Sequence, residues 1–261
     1  MPKFDTEDGF IHYEILEKRA NTPPHSASSA QIITLLHNFM STGRIAWGRI
    51  AERLTATHRV LLIDSPGHGR SIGYPDAYDH LEMARRIAQL MRHVGAENGH
   101  LAGCSSGGMI AQHIVNEGFA QPASLILVST TYSNNPERTG NERTVTPEAF
   151  QMGTNWLDAT AKLHDPHQGA GYFDAELLLG YRELDKYTGL DLSLDSLRTW
   201  LLPTCIIHGE NDEFFPPYIP QSMSDAIPNA TLHIIPNQMH ALIFRKSVQV
   251  FEIMHQFLAQ L

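Results

Sequence analysis

The chain has 261 residues, 42% hydrophobic and 18% charged, with a formal net charge of −9. That length suits one large α/β domain, which buries about 70–75% of its extended surface and needs no covalent staples. The acidic balance argues against a nucleic-acid partner, because phosphate binding needs clustered Lys and Arg. The only two cysteines, Cys104 and Cys205, give no disulfide framework and suit a reduced compartment. The N-terminus lacks the apolar core of a signal peptide, and no segment approaches the roughly 18 consecutive apolar residues of a membrane span. A cytoplasmic protein is expected.

In chain order, the first strands fall near Lys3–Phe4 and Phe10–Leu16. Residues Lys18–Ala30, with Pro23-Pro24 and several Ser, read as a loop. Ile32–Phe39 is a short apolar run that fits a buried strand. A helix follows around Ile45–Thr55, then a strand at Val60–Asp64. Tyr78–Val94 reads as a helix with Ala84, Ile87, Met91 and Val94 on one face. His100–Cys104 is a strand, and Ser106–Glu117 a helix with Ile110, Ile114 and Val115 together. Ser124–Ser129 is the next strand. Thr131–Thr199 has no strong strand signal and several helical fragments. Strands resume at Leu202–His208 and Thr231–Ile235. The last helix carries a stripe of Val250, Phe251, Met254, Leu258 and Leu261. This alternation predicts a mostly parallel sheet with helices on both faces. Residues 131–199 read as an insertion over it.

The run Gly103-Cys104-Ser105-Ser106-Gly107 joins a strand to a helix. A serine on so tight a turn has a strained backbone and an exposed hydroxyl. Glycines two residues away on each side allow neighbouring segments to approach, and the helix N-terminus favours a developing anion. Ser105 is therefore the candidate nucleophile. A serine needs a base. On such an elbow the acid and then the histidine follow in the chain.

The sequence has 15 histidines, so position must discriminate. His208 and His233 lie within strands, and His255 lies in the terminal helix. His240 lies just past the last strand and is the candidate base. Glu210, Asp212 and Glu213 compete as the orienting acid. Val128–Tyr132, after the preceding strand, offers no acid. Acyl transfer also needs oxyanion donors. These are expected from the backbone N–H of Ser106 and, in the loop after Ile32–Leu36, of Phe39.

Together these residues resemble the α/β-hydrolase superfamily, most of all its small esterases, lactonases, perhydrolase-like enzymes and C–C bond hydrolases. The resemblance rests on His37-Asn38-Phe39, Asp64–Ser71, Gly103–Gly108, His208–Asp212 and His240, in that order, and covers nearly the whole chain. It implies an α/β-hydrolase fold: an eight-stranded, mostly parallel sheet with a small helical cap. The core would be residues 1–130 and 200–261, with the cap at 131–199. It also implies Asp212 as the acid, and a structural rather than catalytic role for Asp64 and His68. Asn38 replaces the family's usual glycine, and Met239 often a glycine before the histidine. His37, Asn38, Met239 and the cap's Trp156 are expected substrate-binding residues.

The implied reaction is hydrolysis of a small to medium, apolar ester or lactone through an acyl-enzyme, with no cofactor or metal. His164 and His167 flank Pro166 in an expected loop and make a poor metal site. The aromatics of the cap, including Tyr132, Phe150, Tyr172, Phe173, Tyr181 and Tyr187 with Met152, would either wall a pocket or pack the cap. The expected partner is a small carbonyl substrate, with a homodimer left open. C–C bond hydrolysis next to a ketone and a non-catalytic ligand-binding role remain alternatives.

Overall fold

The computed structural model describes residues 2–18, 31–73, 79–142 and 153–261. The expected loop at 19–30, the helix start at Tyr78, and Phe150 and Met152 lie outside them. Eight strands form one sheet: β1 (Lys3–Thr6), β2 (Gly9–Leu16), β3 (Ile32–Leu36), β4 (Arg59–Ile63), β5 (His100–Cys104), β6 (Ser124–Val128), β7 (Thr204–Gly209) and β8 (Ala230–Ile235). Their order is β1-β2-β4-β3-β5-β6-β7-β8. The first two pairings, β1 with β2 and β2 with β4, are antiparallel and the others parallel.

Strands β3, β5 and β6 are buried at every residue, as expected for a parallel sheet covered on both faces. Their alternation feeds two cores. Leu125 and Leu127 of β6 join one cluster, while Ile126 and Val128 join the other. The first cluster is closed by α2 (His80–His93), α3 (Ser106–Asn116) and α8 (Tyr218–Ala226). The second is closed by α1 (Gly43–Leu54), α9 (Leu242–Arg245) and α10 (Ser247–Leu258). Burying these apolar faces contributes roughly 25 cal/mol per Å². Among the described residues no helix is long and apolar enough to cross a membrane.

Local chemistry sets the boundaries. Helix α1 begins at Gly43, because Thr42 caps it by accepting the Ile45 N–H. Asp79 caps α2 in the same way. Strand β7 starts at Thr204 rather than Leu202; Pro203 cannot donate to the ladder, but its carbonyl accepts the Leu125 N–H at 2.9 Å. The Val250–Met254–Leu258 stripe is buried, whereas Leu261 is exposed past the helix end. Helices α8 and α9 have no counterpart among the expected elements. The spacing of Ile219, Met223 and Ala226 is the signal for α8.

Between β6 and β7 the chain forms α4 (Pro136–Thr139), α5 (Gly153–Gln168), a π-helical turn (Phe173–Leu177), α6 (Leu178–Arg182) and α7 (Leu194–Leu197). Its two ends are tied together: Ser133 Oγ donates to Asp191 at 2.7 Å, and Arg138 Nε to the same oxygen at 2.6 Å. His164 and His167 lie in α5, not in a loop, with Pro166 in its last turn.

Several histidines are buried without charge. Burial holds His37, His68, His80, His164 and His208 below the usual 6.5, His164 at about 4 and His80 at about 3. The unfolded chain therefore binds protons first as pH falls. Stability is full above about 6.5 and is lost toward about 4, opposed only by the groups whose native pKa is raised, among them His240. Thermal unfolding should show a clearly lower Tm at pH 5.0 than at 7.5. An equal Tm would contradict neutral burial of this set.

Candidate active site

Strand β5 runs through Ser105 directly into α3. Ser105 has φ 53° and ψ −120°, a left-handed conformation that costs a non-glycine residue strain. The surroundings hold it there. Its N–H donates to Val128 O at 2.9 Å, and its own carbonyl accepts from Thr130 Oγ1 at 2.8 Å. A Cβ on Gly103 would lie 2.2 Å from Gly107 O, and one on Gly107 would lie 2.4 Å from both His37 O and Leu36 O. Only glycine at these two positions lets the helix start so close to the sheet. Ser106 is the first residue of α3, so its N–H has no carbonyl one turn back to bond.

His240 reaches Ser105 from the loop after β8. Its Nε2 lies 3.0 Å from Ser105 Oγ, and its Nδ1 2.8 Å from Asp212 Oδ2. A carboxylate accepts, so Nδ1 carries the proton and Nε2 is left to accept from the serine hydroxyl. The other Asp212 oxygen accepts the N–H groups of Phe214 and Phe215, both at 2.9 Å. The competing acids have other tasks. Glu213 accepts the His240 backbone N–H at 2.9 Å, and Glu210 accepts that of Asn237 at 2.8 Å.

Burial alone would lower His240, but the Asp212 charge and hydrogen bond, with Glu213 nearby, outweigh it and leave its pKa raised. Burial alone would raise Asp212, yet His240, His208 and the Phe215 N–H hold it below the usual carboxylate range. The rings of Phe214 and Phe215 meet the imidazole at 4.9 and 5.5 Å between centroids.

The loop after β3 lies against α3. Met40 has φ 59°, and Ser41 N–H donates back to Asn38 O, closing a tight turn over Phe39. Histidines brace it. His37 Nδ1 donates to Asn38 O at 2.7 Å, while its Nε2 accepts the Ser65 N–H at 2.8 Å. From α5, His164 Nε2 donates to Met40 O at 3.2 Å and its Nδ1 accepts the Gly69 N–H at 2.8 Å. His68 stands edge-on to Phe39 at 5.2 Å. Asp64 is likewise structural, accepting the N–H groups of Gly43 and Arg70.

A cavity of about 360 Å³ opens between this loop, α5 and α9. Asn38, Phe39, Trp156 and His240 line it; His37 and Met239 do not. His37 is corrected from the expected binding set, because it is buried with both ring nitrogens engaged. Met239 is 47% exposed, outside the cavity wall. Of the other aromatics between β6 and β7, Tyr132, Phe173 and Tyr181 pack into the core and Tyr187 is exposed. Tyr181 stacks on Phe39 at 4.5 Å. The sequence reading missed the bracing by His164 and the task of Glu213. Both act on backbone groups, which leave no local spacing signal.

Comparison with known proteins agrees with this architecture. A putative carbamate hydrolase, RutD, of Variovorax paradoxus (strain S110) is 23% identical, with 88% of this chain and 89% of that protein covered. The solved structure of an N-acyl homoserine lactone degrading enzyme superposes with a TM-score of 0.74 at 20% identity, covering 98% and 100% of the two chains. A mutant of the meta-cleavage product hydrolase CumD, from Pseudomonas fluorescens IP01, gives 0.76 at 17% identity, covering 100% and 98%. The model of the alpha/beta hydrolase family matches residues 35–253, so the chain belongs to that family.

Proposed function

We propose that the protein is a serine hydrolase that cleaves a carboxylic ester or lactone through an acyl-enzyme. The observation that carries this reading is the continuous relay of Ser105 Oγ, His240 and Asp212, at 3.0 and 2.8 Å, on a strained elbow. Plain structural packing does not require a serine to hold a positive φ with its hydroxyl on an imidazole.

In this mechanism Ser105 Oγ attacks the ester carbonyl carbon and its proton passes to His240 Nε2. The carbonyl π electrons move onto oxygen, where the N–H groups of Phe39 and Ser106 receive the charge. Asp212 stabilises the imidazolium without taking its proton. When the C–O bond breaks, His240 Nε2 returns the proton to the departing alkoxide. Water then attacks the acyl-enzyme, gives a proton to His240, and the acid leaves as Ser105 regains its proton. Residues 131–199 serve as a cap, whose α5 supplies one wall of the substrate cavity.

Ser105→Ala should lower kcat on short p-nitrophenyl esters by about a thousandfold or more, with an unchanged unfolding transition. It should also abolish labelling by a fluorophosphonate probe. Retained turnover, or absence of labelling in the native protein, would exclude the assignment.

The reaction needs His240 unprotonated, and its pKa is raised above 6.5. kcat/KM should therefore fall as pH drops, with its acid limb centred above 6.5. In Asp212→Asn the main carboxylate that raises His240 is gone, while burial and Glu213 remain. The residual activity, reduced on the order of 10³–10⁴-fold, should show its limb at lower pH. A limb that stays in place would mean that Asp212 does not set the charge of the base.

A further inference from the structure

The cavity beside His240 is apolar over most of its wall, with Met40, Ile45, Leu163, Ile243 and Phe244 among its residues. Arg245 is the one arginine or lysine among the described residues that lines it. It ends α9, whose N–H groups at Phe244 and Arg245 both bond back to Ala241 O, next to His240. Leu242 and Ile243 of the same turn are buried in the core, so the position of Arg245 is tied to that of the base.

Among the described residues the exposed guanidinium of Arg245 has no hydrogen bond and no carboxylate partner. In a chain of 28 acidic and 19 basic residues, Arg44, Arg59, Arg85, Arg86, Arg138 and Arg198 each hold a carboxylate. Just outside, Arg49, Lys246 and Glu252 line an adjoining surface hollow with Arg245, leaving the local balance positive.

Resting on the serine-hydrolase reading, we propose that the natural substrate is an ester of an acyl chain ending in a carboxylate. Its apolar middle fills the cavity and its carboxylate pairs with Arg245, whose fork matches that geometry. A cavity of about 360 Å³ accommodates a half-ester of a short dicarboxylic acid.

The test compares monomethyl adipate with the neutral methyl heptanoate on the native protein, Arg245→Gln and Arg245→Lys. The native protein should favour the anionic ester in kcat/KM. Arg245→Gln should lower the ratio of the two kcat/KM values by about tenfold or more, mainly through KM for the anionic ester, and Arg245→Lys should restore part of it. No charge preference in the native protein, or an equal loss for both esters in Arg245→Gln, would overturn the assignment and leave the hydrolase reading standing. Calorimetric titration of monomethyl adipate into Ser105→Ala, with and without Arg245→Gln, reads the site without turnover. Binding that weakens about tenfold with Arg245→Gln supports the site even if no ester is hydrolysed, and no binding together with no turnover overturns it.

Discussion

The site depends on one steric constraint: the first turn of α3 touches the end of β3 through bare backbone at Gly107. No side chain fits between that residue and the carbonyls of Leu36 and His37. The contact forces the chain from β5 into the helix within a single residue, and Ser105 takes the strain as a positive φ. It also brings the loop after β3 alongside the helix start. The same Leu36 carbonyl accepts the Trp47 indole N–H at 2.9 Å, so α1 is tied to the strand end on which α3 rests. The two helices on opposite faces of the sheet are thus registered against one point.

The loop after β7 solves a second problem, that of holding an anion in a nearly dry place. Three carboxylates fall within four residues, and each meets a different donor. Asp212 is buried because it has three: two backbone N–H groups on one oxygen and the His240 imidazole on the other, while the His208 ring 3.3 Å away donates to Phe215 O. Charged hydrogen bonds of this kind offset the desolvation that would otherwise neutralise the acid. Glu213 and Glu210 hold the backbone of the His240 loop, and so fix where the imidazole starts. Orientation of the His240 ring is therefore shared between a side-chain contact and a main-chain contact.

Much of this was legible in the sequence, for identifiable reasons. Strand β5 and the elbow were readable because an apolar run, a serine and two glycines occupy seven adjacent positions. His240 was readable because it follows the last strand. The eight strands and their parallel core followed from alternating apolar runs and helical stripes. Helix α8 was overlooked because Pro216 and Pro217 mask a short amphipathic stripe. The place of His37 was misjudged because its partners are the Ser65 N–H and its own neighbour's carbonyl. The former lies 28 residues away and exists only once β3 and β4 pair. His164 meets Gly69 across 95 residues. Side chains that bond distant backbone leave no pattern in composition or spacing.

The histidines show how environment, not residue type, divides the work. His37, His68 and His164 form a chain of rings at 5.3 and 5.6 Å under the oxyanion-side loop. Burial and their mutual repulsion keep His68 and His164 uncharged, and for His37 burial outweighs the nearby Asp64 carboxylate. Neutrality is also what their hydrogen bonds require. His37 Nε2 and His164 Nδ1 each accept a backbone N–H, which a protonated nitrogen cannot do. His240 is buried as well, but a carboxylate touches its ring, and this reverses the sign of its shift. A proton entering this region therefore goes to His240 before the scaffold. In the proposed mechanism His240 can therefore carry the proton while the rings beneath the loop keep the hydrogen bonds that shape it.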